Sequence, residues 1–406
     1  MRKFVSLLLA ILFMFLCTGC SNASDDTETS AFVGGDTYFF DNKLFFIEEN
    51  NIKFISYDTF ESYYFCFEPM CTHTTNDCLS CIENGTFYHL VIDEDASENG
   101  IVMYVSYNYL EDTTNFNVIQ GIMKIEASKN KKSQVIHNTD CEAINQLTLW
   151  NGKIYFSATL NDYFFKIFSV DKDGNNLVQL TDNEDYNCYI HSISQNTLYY
   201  FDDLGNIYSM QSPESTELVF TSKYPYGVYI NNGYLYYCDN EVFSDNKNEA
   251  LSAFDFSKGE FTSYVWHTYS YSYYRIPLND TTQIPEKVTD NVVRSQKMLV
   301  KDNYFYITSV THKYLGSYSV YDPEYKIEVP NHVAVTTDGI QKINLDTLEI
   351  DHIKLNDDWQ IYYILYADNN KIIFYGENMT QVLNNKEHSG MSYVVYDIAS
   401  GTYKIM

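Results

Sequence analysis

Seven times along the chain, a short polar turn is followed at once by a strand of aromatic and aliphatic residues, and this recurrence constrains the fold more than any other feature. The turns are Asp41-Asn42, Asn99-Gly100, Asn151-Gly152, Gln195-Asn196, Asn232-Gly233, Asp302-Asn303 and Asn369-Asn370. The strands after them read LFFI, VMYV, IYFS, LYYF, LYYC, FYIT and IIFY. Each turn is also preceded by a β-rich run such as TYFF, LTLW or YYILY, so each closes a hairpin, for which Asn-Gly is the strongest short signal.

Further along most units comes an alternating strand that ends in a second turn, as in KIFSVDKDGNNLVQLT, NIYSMQSPESTELVF, YYRIPLNDTTQIPEKVT, IQKINLDTLEIDHIKL and YVVYDIASGTYKIM. One unit is then a four-stranded antiparallel meander, with strands A to D in chain order. Repeated around an axis, such units make an all-β propeller, which leaves only short, protected sheet edges. Seven blades are counted, with six or eight as the neighbouring solutions. Composition agrees: 39 Tyr and 26 Phe against 17 Gly and 7 Pro favour pleated, half-buried surfaces. Two separate β-sandwiches are the alternative, but no Pro-, Gly- or Ser-rich linker divides the chain after residue 34.

The units KIFSVDKDGNNLVQLT and YYRIPLNDTTQIPEKVT resemble the strand-turn-strand signature of TolB-like propellers. They also resemble the lipoprotein propellers of unknown function in Firmicutes, which are related to the YWTD propeller of lipoprotein receptors. The resemblance covers nearly the whole chain after the N-terminal segment. The YWTD tetrapeptide, the WD dipeptide and the paired glycines of kelch repeats are absent. The resemblance implies a propeller at a bacterial cell surface that binds or scaffolds, and it transfers no catalytic residue.

Residues 1–19 read as a secretory signal, with Arg2 and Lys3 ahead of the apolar run Phe4 to Leu16, which is too short for an ordinary spanning helix. The stretch Leu16-Cys17-Thr18-Gly19-Cys20 resembles the lipobox of bacterial lipoproteins, although Cys17 stands where that motif prefers Leu. Cys20 is the expected lipidated N-terminus, residues 20–33 the lipidated tether and residues 34–406 the propeller. The expected location is the outer face of the cell membrane, or the outer membrane in a host with two. With 54 Asp plus Glu against 26 Lys plus Arg, the chain carries a net charge of −28, which repels nucleic acid and anionic lipid alike. The membrane is reached through the lipid and not through charge.

In a meander, the A–B and C–D turns lie at one end of each blade and the B–C and D–A connections at the other. The A–B and C–D turns are nearly all tight here. The B–C connections are long in the second (106–118), fifth (239–270), sixth (311–338) and seventh (376–391) units, and a cysteine-rich stretch, 66–81, occupies the first D–A crossover. One face is therefore elaborated, and loops on a rigid scaffold are where binding usually resides. Two insertions are rich in aromatics. Tyr264, Trp266, Tyr269, Tyr271, Tyr314, Tyr318 and Tyr321 are the candidate contacts for a glycan or protein ligand, against the plainer reading that they pack the faces of inserted hairpins.

Cys66, Cys71, His73, Cys78 and Cys81 place five soft donors within 16 residues. Four suffice for a structural zinc site, while export favours disulfides, so both readings stand. A similar PxCxH…C stretch belongs to some of the propeller lipoproteins that the chain resembles. Cys141, Cys188 and Cys238 are scattered at strand-like positions.

No catalytic residue is assigned, and the chain is expected not to be an enzyme. Asp171-Lys172-Asp173-Gly174-Asn175 begins like a calcium loop but lacks Glu at the twelfth position, and it sits where a C–D turn is required. Gly-x-Ser-x-Gly, His-Glu-x-x-His and phosphate-loop motifs are missing. A carbohydrate-active enzyme using acidic residues of the propeller channel is the alternative function.

Overall fold

The turns form as their residues dictate. In five of the seven, both central residues have φ between 47° and 75°: Asp41-Asn42, Asn151-Gly152, Gln195-Asn196, Asn232-Gly233 and Asp302-Asn303. That is the type I′ geometry whose twist matches the strands it joins, and Asn, Asp and Gly reach it at least cost. At Asn369-Asn370 the Asp368 carboxylate instead caps the turn, accepting from the backbone N–H groups of Asn370 at 2.7 Å and Lys371 at 2.8 Å. Asn99-Gly100 is not a two-residue turn: Asn99 ends a 3₁₀ turn, Asp95–Asn99, and Gly100 follows at φ 128°.

The computed structural model describes residues 37–406, apart from 49, 67, 69, 113–116, 138–142, 160–162, 214, 225–226, 256, 259, 294–298, 357 and 386–390. The residues expected to form the signal and anchor, Cys20 among them, lie outside the described residues, as does Cys141. Among the described residues no helix is long and apolar enough to cross a membrane.

Seven antiparallel units of four strands run consecutively along the chain, at 37–64, 85–136, 143–179, 188–221, 228–292, 299–353 and 359–405. Units 5 and 6 are additionally linked by one bridge, Val292 to Ser309. The first strands of neighbouring units touch at five of the junctions, which puts strand A on the inside of the ring. The fold is a seven-bladed β-propeller. The A–B and C–D turns lie at the same end of their blades, since the carbonyls of Asn42, Gly233, Asn303 and Asn370 accept from the N–H groups of Tyr57, Leu278, Leu345 and Ile398.

Seven apolar clusters, one at each blade junction, make up the core, and strand alternation builds them. In blade 1, Phe45 points toward blade 2 and joins Phe87, Leu90 and Met103, while Leu44 and Phe46 point the other way, toward blade 7. In blade 3, Tyr155 faces blade 4 while Ile154 and Phe156 face blade 2. In blade 5, Tyr229 faces blade 6 while Val228 and Ile230 face blade 4. A strand buried on both faces needs an unbroken apolar run, which is why the recurring tetrapeptides carry almost no polar residue.

Blades 7 and 1 close the ring without exchanging a strand, since each builds its sheet from consecutive strands alone. Side chains carry the seam. Leu44, Phe46 and Ile55 pack on Tyr366, Ile373 and Val395, the Phe39 ring stacks on Tyr366 at 4.3 Å, and Phe46 meets Tyr393 at 4.4 Å. At the rim the Tyr57 hydroxyl donates to the Asp368 carboxylate, and Lys404 Nζ donates to the Phe60 carbonyl at 2.7 Å. Burial and this bond push the Tyr57 hydroxyl up to about 12.

Candidate functional site

The long connections leave on one face. In blade 5 the second and third strands, Tyr234–Asp255 and Glu260–Pro277, run on past the blade as a hairpin, and Tyr304–Asp322 with Ile327–Asn344 does the same in blade 6. The blade 2 hairpin joins Val102–Asp112 to Asn117–Glu126, and in blade 7 the connection contains a short helix, α1 (Met379–Asn385). Helix α1 props the blade 6 hairpin, its Met379 and Val382 packing on Tyr318, Val333 and Val335. The two long hairpins meet near their ends, where the Phe254 and Tyr325 rings lie edge to face at 5.5 Å.

Position along the hairpin in blade 5, and strand parity in blade 6, divide the candidate aromatics. Tyr269 and Tyr321 project to solvent, at 49% and 56% exposure. Tyr271 is buried instead, its ring edge-on to Tyr224 and its hydroxyl donating to Glu241 at 2.7 Å. Tyr318 is buried against α1, its hydroxyl accepting from Asn331 Nδ2 at 2.7 Å. Both therefore pack the hairpins and are not placed to meet a ligand. Tyr314 is half-buried with its hydroxyl 3.1 Å from His332 Nδ1. The side chains of Tyr264 and Trp266 lie outside the described residues.

Phe243 escaped the sequence reading. It sits opposite Tyr269 in the ladder, with ring centroids 5.2 Å apart, and His267 lies 4.8 Å from it on the same face. Phe243 is 49% exposed, so the blade 5 hairpin presents an aromatic pair flanked by an imidazole. No advance signal marked it, since VFSD at 242–245 sets two apolar residues beside two polar ones and shows no alternation that would fix a face.

The cysteine-rich crossover lies on the same face and is tied to both blades it joins. The Ile52 N–H donates to the Ser80 carbonyl at 2.7 Å, and Ser80 Oγ donates to the Ile52 carbonyl at 3.0 Å. From blade 2, Lys132 Nζ donates to the carbonyls of Cys78 and Cys81 at 2.7 and 2.8 Å. Burial lowers the pKa of this lysine. The described cysteines are thiols, with no disulfide among them. Cys66, Cys71, His73 and Cys78 converge, their donor atoms all within 4.8 Å of one another, and such a set could hold a metal ion. Cys81 falls outside this set although its side chain neighbours Cys78, and its Sγ donates to the Thr75 carbonyl at 3.2 Å. The His73 backbone N–H, 3.4 Å from Cys71 Sγ, holds that thiol below its ordinary value, whereas burial pushes the Cys78 and Cys81 thiols up. Cys188 and Cys238 are buried in junction clusters.

Beside this cluster runs an open trough of about 560 Å³ between blades 1 and 2, lined in part by Asn50, Asn51, His73, Thr74, Asn84, Thr86, Asn108 and Tyr109. The amides come from segments far apart in the chain, so no local motif announced them. The Asp171-to-Asn175 segment is the C–D turn of blade 3, closed by the Gly174 N–H donating to the Asp171 carbonyl at 2.9 Å.

No protein-family model matches this chain, and no curated protein matches it. Among solved structures it is similar to a prolyl endopeptidase, with a TM-score of 0.54 and 6% identity over 94% of this chain and 50% of that one. It is also similar to oligopeptidase B from Leishmania major (TM-score 0.46, 6% identity, 93% and 49% covered) and to an oligogalacturonate lyase (TM-score 0.32, 10% identity, 84% and 72% covered). The chain spans about half the length of the two peptidases. At 6% identity the first likeness establishes the propeller fold and carries no residue role across. This likeness corrects the expectation that the chain is not an enzyme: a prolyl endopeptidase shares the architecture, so the propeller gives no ground for excluding catalysis.

Proposed function

We propose that this chain is an exported, lipid-anchored propeller that captures a glycan or protein ligand on the face bearing its B–C connections. The observation that carries the reading is the one-sided elaboration: two long hairpins and the cysteine-rich crossover leave on one face, and Phe243, Tyr269 and Tyr321 stand about half exposed there. Flat rings with polar edges suit stacking on sugar rings and gripping a peptide alike. Anchoring rests on Leu16 to Cys20 and the polar stretch that follows, and the net charge of −28 keeps the domain off anionic lipid. A structural zinc at the Cys66 to Cys78 cluster belongs to the same reading, clipping the crossover to the base of this face.

The test is binding of the full chain, purified in detergent, to arrayed glycans, cell-wall fractions and surface-protein extracts, beside a Phe243→Ala, Tyr269→Ala, Tyr321→Ala variant. Saturable binding that the variant weakens at least tenfold is expected. Equal binding by variant and parent would place the ligand elsewhere and overturn the reading.

A further inference from the structure

The crossover 66–81 has little apolar material of its own. Between Cys66 and Ile82 only Cys78 to Ile82 are buried among the described residues, and the other described residues of the loop are half-buried or exposed. Such a segment needs a cross-link to hold one shape, and four of its donors already face one another. Cys66, Cys71 and Cys78 offer sulfur and His73 offers nitrogen, with Nδ1 lying 3.4 Å from Cys78 Sγ. A tetrahedral zinc with sulfur ligands at 2.3 Å sets donors about 3.8 Å apart, so the observed limit of 4.8 Å closes with shifts of roughly half an ångström at each ligand.

We infer that Cys66, Cys71, His73 and Cys78 bind one zinc ion as a closed structural site that excludes Cys81. This deepens the proposed structural zinc by fixing its ligand set. Three thiolates and an imidazole with no carboxylate among them select zinc over calcium, magnesium or manganese, and four protein ligands leave no open position for a substrate. On binding, the three thiols release their protons to solvent and the imidazole binds neutral, so the site carries a net charge of −1. The Lys132 ammonium, fixed on the Cys78 and Cys81 carbonyls, lies beside that charge.

The surroundings orient the ligands. The Tyr64 ring stacks on the His73 imidazole at 4.1 Å and 16°, and Lys53 Nζ sits 5.0 Å from the centre of the Tyr64 ring. The Ser80 N–H lies 3.4 Å from Cys78 Sγ, a bond that favours the thiolate. Cys81 is held back by its bond to the Thr75 carbonyl and by the bridge pairing it with Asn51. Because His73 and Thr74 also form part of the wall of the trough between blades 1 and 2, the metal fixes that wall as well.

Metal content of the full chain, purified in detergent without chelator and read by elemental analysis, tests the assignment. One zinc per chain is expected, with Cys71→Ser and Cys78→Ser losing at least nine-tenths of it and Cys81→Ser keeping it. Cobalt exchanged into the parent should show thiolate charge transfer and the strong visible bands of a tetrahedral ion. Because Cys78 is buried and its serine variant can misfold, His73→Cys provides a second reading: it keeps a soft donor, retains the metal and shifts the cobalt spectrum toward four thiolates. A parent with neither zinc nor cobalt uptake, disulfides joining these cysteines in the intact mass, or equal metal loss from Cys81→Ser would each overturn the inference. Metal content is read without any ligand present, so its failure is distinguishable from failure of the binding reading.

Discussion

Ring closure is the step on which this architecture depends, and Phe46 is the place to test it. Blades 1 and 7 share no strand, so six buried side chains, Leu44, Phe46, Ile55, Tyr366, Ile373 and Val395, carry the seam. At about 1.5–3 kcal/mol for each buried side chain, the seam contributes on the order of 10 kcal/mol before ordering costs. Phe46, 1% exposed and in contact with Tyr393 at 4.4 Å, is the largest of the blade 1 contributors. Phe46→Ala removes about 3–5 kcal/mol, the usual cost of emptying a buried phenylalanine site, and so takes a large share of the closure. Its neighbour Phe45 is buried just as completely but faces blade 2, so Phe45→Ala costs a similar amount while leaving the seam intact. Hydrogen exchange separates the two. Phe46→Ala should speed exchange in residues 43–56 and 393–405 together, as the first and last blades part, whereas Phe45→Ala should loosen blades 1 and 2. Protection in 393–405 that is unchanged by Phe46→Ala would refute closure by side-chain packing.

Three further outcomes follow from the same structure, and a fourth from the proposed lipid anchor. His191 is buried between blades 4 and 5 with Nε2 2.7 Å from the Val228 carbonyl, and burial lowers its pKa, so folding favours its neutral form. Its contribution is whole above the unfolded value near 6.5 and is lost as pH falls toward the folded value, so denaturation midpoints should decline below about pH 6.5 by up to ~1.4 kcal/mol per unit, and His191→Gln should flatten the slope. Burial alone would raise Asp368, but bonds from Tyr57 and the Asn370 and Lys371 N–H groups, with the Lys301 charge, bring it below the usual value; its support of the seam is present above about pH 4 and fades in acid, and Asp368→Asn should lose that acid dependence in exchange at 393–405. A Cβ at Gly121 would lie 2.2 Å from the Ile136 carbonyl and 2.8 Å from the Tyr107 hydroxyl, so Gly121→Ala should cost roughly 1–3 kcal/mol by chemical denaturation, with blade 2 affected first. Cys20→Ser should move the protein from the membrane fraction to the soluble fraction and abolish incorporation of labelled palmitate.

Much of this architecture was written locally. The polar turn pairs predicted hairpins because left-handed φ is cheap for Asn, Asp and Gly, and five of the seven adopt that geometry. The tetrapeptides after them announced strands, and the insertion lengths showed which end of the ring is elaborated; that these strands are buried on both faces, where composition suggested half-buried ones, emerged only in the structure. What stayed hidden depends on relations that one strand does not encode. Tyr269 and Tyr271 share one face of their strand, yet Tyr271 lies within the blade against Tyr224 while Tyr269, one step farther out, meets solvent; in a run aromatic at every other position, nothing local says where the covering blade stops. Helix α1 spans seven residues, too few for a helical period to show, and its Met379 and Val382 are explained only by the hairpin they support. Cys81 looked equivalent to the other four donors by spacing, and the bond to Thr75 that sets it apart is a property of the folded loop.

The central claim is that the ligand is met on the hairpin face, and covalent footprinting of exposed aromatic side chains tests it most directly. The full chain is oxidised briefly with and without the cell-surface fraction it binds, and modification is read residue by residue. Protection of Phe243, Tyr269 and Tyr321, with Ile284 in the C–D turn of blade 5, on the A–B turn side, still open to oxidation, is the predicted result. Protection confined to Ile284 and the neighbouring A–B and C–D turns, with the hairpin aromatics still fully modified, would contradict it.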